Sequence, residues 1–180
     1  MTPGMTQAAD AALRAHLRAL LTAPQAHLTL EGVLEDFPLE RLHERPGGLP
    51  YSAWDLLWHL RFAQRDILNF VRDGTYAEPQ WPAAYWPQRT EQPSTEQVSA
   101  EVSAEDWHAQ AQACRDDLAA LLELLDDPAT DLLAVVPNGA GPEGGGQTWL
   151  REFLLVADHN AYHVGQLMVL RRLLESTETN

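Results

Sequence analysis

The stretch from Trp149 to Glu175 constrains this chain more than any other part of it. It contains no Pro and one Gly, Gly165, and Val156, His159, His163, Leu167 and Leu170 recur along it at helical spacing. A helix of that span measures close to 40 Å at about 1.5 Å per residue. Thr148 stands where a capping side chain is needed. One long amphipathic helix has to bury its stripe against partners, so the rest of the chain is read for other helices.

Three more helical stretches and a short one are legible. Leu13, Leu17, Leu20 and Leu21 carry the period over Thr6 to Leu21, and Pro24 stops it. Leu30, Val33, Leu34 and Phe37 stand at i, i+3, i+4 and i+7 in a shorter piece ended by Pro38. The connector Arg45-Pro46-Gly47-Gly48-Leu49-Pro50 follows. Ser52 with Asp55 forms a capping box that uses a shorter acid. It opens a helix with Leu56, Leu57, Leu60, Phe62, Ala63, Ile67 and Phe70 as its apolar set, expected to end at Asp73-Gly74 with Gly74 in the left-handed conformation. Ser103 with Asp106 opens another, carrying Trp107, Ala111, Cys114, Leu118, Leu121, Leu122 and Leu125, and Pro128 closes it.

The connections are long. Thr75 to Pro93 is Pro-rich and holds Tyr76, Trp81, Tyr85 and Trp86, which serve either as a lid over the core or as one wall of a ligand pocket. Val98-Ser99-Ala100-Glu101 is repeated as Val102-Ser103-Ala104-Glu105, too short for a repeat architecture. Asp131 to Val136 reads as a short extended piece, and Asn138 to Gly146 as a flexible Gly-rich connector. The whole is expected to be all-α: one domain over residues 1–180, a four-helix bundle with long connections.

Charge narrows the function. The chain has 12 basic against 26 acidic side chains and a formal net charge of −14. Such a chain repels phosphate backbones and anionic membrane surfaces, so no nucleic acid and no membrane is expected as a partner. Every basic residue is Arg, which excludes a Schiff-base lysine and a P-loop lysine. Cys114 is the single Cys; it reads as a small apolar helix residue and fits a reducing compartment. Asp10, Arg14, His16 and Arg18 interrupt any leader-like run near the start, and no apolar stretch approaches the roughly 20 residues of a membrane span, so a cytoplasmic location is expected. Glu101, Glu105, Asp106, Asp116, Asp117, Glu123, Asp126 and Asp127 read as a solvated helix face.

The chemistry rests on histidine. His159 and His163 are four apart in the apolar stripe, so their rings project from one core-facing side. His59 is likewise core-facing, with Leu56, Phe62 and Ala63. Buried imidazoles need partners, which a metal ion or hydrogen bonds to neighbouring helices can supply. Three inward His on two helices would leave an open position for water or substrate. The zincin pattern is absent: Asn160 stands where that pattern carries its catalytic Glu, and Asp158 points to another face. His16, His27, His43 and His108 have no helical His partner and read as structural or solvent-exposed.

The segments Ser52-Ala53-Trp54-Asp55-Leu56-Leu57-Trp58-His59-Leu60 and His159-Asn160-Ala161-Tyr162-His163-Val164-Gly165-Gln166-Leu167 together resemble the DinB/YfiT-like family of metal-binding four-helix bundles. The likeness covers nearly the whole chain, including helix order and the long connection before the last helix. It implies one divalent metal ion on His59, His159 and His163, with zinc or nickel expected first and iron or manganese as further choices. It also implies a transferase that uses a small-molecule thiol, such as bacillithiol, mycothiol or glutathione, against an electrophilic substrate, and a homodimer. A metal-dependent hydrolase and a non-catalytic metal- or small-ligand-binding bundle are the alternatives. Tyr162 and Gln166 are candidates to support the ligands; alternatively Gln166 caps the polar end of the pocket and Tyr162 packs outside it. Gly165 is read as a point of close helix approach.

Overall fold

Side-chain caps open the helices where the sequence places them. The computed structural model describes residues 5–87, 102–140 and 146–176. Helix α1 spans Gln7–Thr22 and is capped by Thr6, whose hydroxyl accepts the Ala9 N–H at 3.2 Å. A short α2 covers Leu30–Leu34. Helix α3, Ala53–Arg72, begins with a complete capping box: Ser52 Oγ accepts the Asp55 N–H and Asp55 Oδ2 accepts the Ser52 N–H at 2.9 Å. Helix α4, Ala104–Asp126, opens the same way with Ser103 and Asp106. Helix α5 runs Trp149–Ser176, and Thr148 Oγ1 accepts the Arg151 N–H at 3.3 Å. No strand is present among the described residues, only an isolated bridge between Val135 and Thr148.

Helix α3 lies at the centre, packed along both α4 and α5. Helix α1 also lies against α4 and α5, and α2 rests on α5. The core divides in two. One cluster gathers Leu56, Leu57, Leu60, Trp107, Cys114, Val164, Leu167 and Leu170. The other gathers Leu17, Ile67, Leu68, Leu121, Leu125, Phe153 and Val156. Between them, each central helix contributes polar groups at the same level: Gln64 and Asp66 on α3, Asp117 on α4, and His159, Asn160 and His163 on α5. The bundle is therefore apolar at both ends and polar in the middle, where the His residues lie. None of its described helices is long and apolar enough to cross a membrane.

Three local expectations are corrected. Gly74 does not adopt the left-handed conformation; the chain leaves α3 extended at Asp73, with φ −123° and ψ 106°. Asn138 takes over the capping: its side-chain amide donates to the carbonyls of Phe70, at 3.0 Å, and Asp73. Of the extended piece expected over Asp131 to Val136, Asp131 to Ala134 is instead a turn, with the Ala134 N–H bonded to the Asp131 carbonyl at 2.9 Å, and only Val135, bridged to Thr148, pairs as a strand would. Asp117 is buried rather than solvated, because it shares the inward face of α4 with Cys114 and Leu121. Arg61, at 3.3 Å, and Arg65 reach across from α3 to neutralise it. Pro93, the first copy of the Val-Ser-Ala-Glu repeat with Glu101, and residues 141–145 of the Gly-rich connector lie outside the described residues.

Candidate metal centre

Helical register puts the three imidazoles together. His159 and His163 project one turn apart from α5, and His59 faces them from the adjacent α3. Their ring centroids are 4.5 to 5.1 Å apart. One potential ligand atom from each lies within 4.8 Å of the others, so the group could hold a metal ion. His59 and His163 are buried and His159 is partly so.

Two of the three rings, His59 and His163, are oriented from outside the cluster. His59 Nδ1 lies 2.7 Å from the Tyr85 carbonyl, so it carries the proton and its Nε2 is left as a bare acceptor. His163 Nδ1 lies 2.7 Å from Gln166 Oε1, which leaves its Nε2 free in the same way once the amide oxygen faces the ring. His59 Nε2 and His159 Nε2 are 3.2 Å apart. Two nitrogens about 2.0–2.1 Å from one tetrahedral ion would stand about 3.3–3.4 Å apart. The spacing and the all-nitrogen donor set therefore fit a divalent ion, and only a proton or a cation can bridge the pair without lone-pair repulsion. A bridging proton on His159 Nε2 leaves its Nδ1 bare, and that buried atom has no hydrogen-bond partner among the described residues. If Nε2 of His159 held an ion, its proton would stand on Nδ1, beside the Asn160 side chain.

Burial keeps all three rings neutral, the form a metal needs. It pulls His159 and His163 down to about 4, with neighbouring imidazoles adding to the effect. His59 is also lowered by burial, against the opposing pull of the Tyr85 carbonyl.

The aromatic loop supplies the wall. Trp86 stacks on His59 at 4.1 Å, and Tyr51 stacks on the far face of Trp86 at 3.9 Å. Asp66, two turns along α3 from His59, anchors the loop by accepting the Tyr76 hydroxyl at 2.8 Å and the Tyr85 hydroxyl at 2.6 Å. Burial and the Asp66 carboxylate push the Tyr76 phenol up to about 12. Trp81 alone of the four loop aromatics stays out, 67% exposed. Behind the rings, Asn160 Nδ2 donates to Gln64 Oε1 at 2.8 Å, and Gln64 Nε2 donates to the Cys114 carbonyl at 2.7 Å. This amide pair ties α5 to α3 and α4 beside His159.

Of the residues singled out from sequence, His59, His159, His163 and Gln166 come together. Tyr162 sets its ring edge-on to His163 at 4.9 Å but is 64% exposed. A Cβ on Gly165 would meet nothing within 4 Å, so Gly165 does not mark a close helix approach. Asp158, His16, His27, His43 and His108 lie on the exterior. Cys114 is buried and is not one of the clustered ligands, its thiol pushed up to about 12 by burial. Asp66 and Gln64 were not foreseen, although each is a polar residue on the inward face of α3. The Tyr85 carbonyl leaves no mark in a sequence.

Comparison with known proteins bears on the same residues. A family model described as the DinB superfamily matches residues 24–167, a span that includes all three His and most of the bundle. No curated protein and no solved structure gives a significant match. With the helical architecture and the matched span in agreement, this chain belongs to the DinB superfamily.

Proposed function

We propose that the chain is a divalent-metal-dependent transferase that joins a small-molecule thiol to an electrophilic carbon. The observation that carries this reading is the orientation of the rings: Nδ1 of His59 and His163 are engaged outward, Nε2 of His59 and His159 stand 3.2 Å apart inside the bundle, and a ligand atom of each of the three rings lies within 4.8 Å of the others. Imidazole donors suit zinc, nickel and iron, and zinc or nickel is our first choice. When bound, such an ion supplies a Lewis acid that makes a thiol or water ionise near neutral pH.

The protein's own groups do the rest. Tyr85 and Gln166 fix two rings so that little ordering remains when a ligand arrives. Trp86 covers one face of His59 and keeps water from that side. The thiol sulfur bonds to the acceptor carbon: with a chlorinated acceptor the C–Cl bond breaks, chloride leaves and the thiol proton goes to solvent; with an epoxide the ring C–O bond breaks and its oxygen takes up the proton. Hydrolysis is less well served, because Asn160 occupies the place of the base in the zincin pattern. The test is turnover of chlorinated and epoxide acceptors with a panel of thiols, in protein loaded with zinc or nickel. Thiol-dependent consumption supports the reading. No thiol-dependent turnover in any combination overturns it, and acceptor loss without thiol favours the hydrolase.

A further inference from the structure

Gly165 lowers the stability of α5 without serving its backbone or its packing. Gly in a helix interior is less favourable than Ala. Its φ is not left-handed, and a Cβ placed there finds no atom of the described residues within 4 Å outside its chain neighbours and the helix backbone. The space a side chain would fill is a cleft of about 370 Å³. Leu49 and Tyr51 wall it on one side, with Tyr162, Gly165, Gln166 and Val169 of α5 on the other.

Three of those residues connect the cleft to the imidazoles. Gln166 holds His163 Nδ1, Tyr162 sets its ring against His163, and Tyr51 stacks on the Trp86 that covers His59. None of the described residues lining the cleft is charged. An apolar wall penalises a buried charge, and a chain of net charge −14 repels anions further.

We infer that the cleft takes the apolar, uncharged body of the substrate whose reacting end meets the His cluster, and that Gly165 sets how large that body can be. What happens at the reacting end rests on the metal reading; occupancy of the cleft and the size limit at Gly165 do not depend on it. In this account Gly165 determines specificity by leaving room, and a larger side chain there fills the substrate's space without touching the ligands.

The test compares two probes with the same aromatic rings, neutral phenyl-naphthylamine and its anionic counterpart anilinonaphthalene sulfonate, by fluorescence titration of the full chain. Wild type is expected to bind the neutral probe about tenfold or more tightly than the sulfonate. Gly165→Leu is expected to weaken the neutral probe about tenfold or more while retaining metal and helicity. Gly165→Ala should weaken it about two- to fivefold and raise Tm by about 1–4 °C, as a better helix former does. If the Leu variant does not fold, the Ala variant decides alone. Equal affinity in wild type and variants, or equal affinity for the two probes, overturns the proposal. So does a wild-type dimer that Gly165→Leu splits in sedimentation velocity, which would assign this face to a second copy. His159→Ala keeps the two readings apart. It is expected to lose metal yet bind the neutral probe as wild type does, whereas a metal-loaded wild type that binds no probe overturns the cleft alone.

Discussion

Replacing Asp66 by Leu tests how the aromatic loop is held over the His cluster. Asp66 is buried and accepts two phenol hydroxyls, from Tyr76 at 2.8 Å and Tyr85 at 2.6 Å. Hydrogen bonds to a charged group contribute about 1.5–3 kcal/mol each. Tyr76 is only partly buried, so water recovers some of its loss, and removing the carboxylate relieves its own desolvation. Tyr85 is buried and its hydroxyl would be stranded. The net expectation is a loss of about 2–4 kcal/mol, or a Tm lower by about 5–12 °C in a domain of this size. Asp66→Asn keeps an acceptor and should lose about half as much. Because the same loop presents the Tyr85 carbonyl to His59 and lays Trp86 on its ring, metal affinity should fall as well, by about 10–100-fold. Thermal denaturation with a double-mutant cycle through Tyr85→Phe measures the coupling. An Asp66→Leu protein within about 0.5 kcal/mol of wild type, or strictly additive effects with Tyr85→Phe, would refute the anchoring role.

Other predictions concern the same polar layer. Gln166→Leu removes the acceptor on His163 Nδ1 and should weaken metal binding about 10–100-fold with little change in the metal-free Tm; an unchanged affinity in a competition titration contradicts this. Chelator-treated protein should lose stability as pH falls. His159 and His163 titrate at about 4 when folded against 6.5 as the ordinary value, so the unfolded chain binds more protons in between. Their contribution is complete above about pH 6.5 and is lost as pH falls through 4, which urea denaturation at several pH values reads directly. Asp117→Leu leaves Arg61 and Arg65 facing an apolar group and should cost about 1–3 kcal/mol, less than a fully buried pair because both Arg are partly exposed. A variant as stable as wild type in the same denaturation experiment would mean the Arg pair finds equal compensation in water.

The sequence made the helices and the His register legible because both depend on spacing alone. Ser52 with Asp55 and Ser103 with Asp106 mark two helix starts by local hydrogen bonding, with no help from the rest of the chain. His159 and His163 share a face wherever a helix forms. What spacing cannot show is which helix faces which. Asp117 looked solvated because its partners, Arg61 and Arg65, sit on another helix. Helix α3 ends where Asp73-Gly74 marks it, but its cap is not a left-handed Gly74: the group that caps it, Asn138, is distant along the chain. Tyr85 acts on His59 through its backbone carbonyl, an atom that every residue carries. Asp66 is the instructive case: an acid seven residues from His59, on the same inward face, was a signal that only the positions of Tyr76 and Tyr85 explain.

The central claim is that His59, His159 and His163 hold one divalent ion. Elemental analysis of the purified protein, after equilibration with zinc and nickel and removal of free ions, tests it beside the three single His→Ala variants. The account predicts close to one ion per wild-type chain and its loss from each variant, with helicity retained. Metal kept by all three variants, or none held by the wild type, would contradict it.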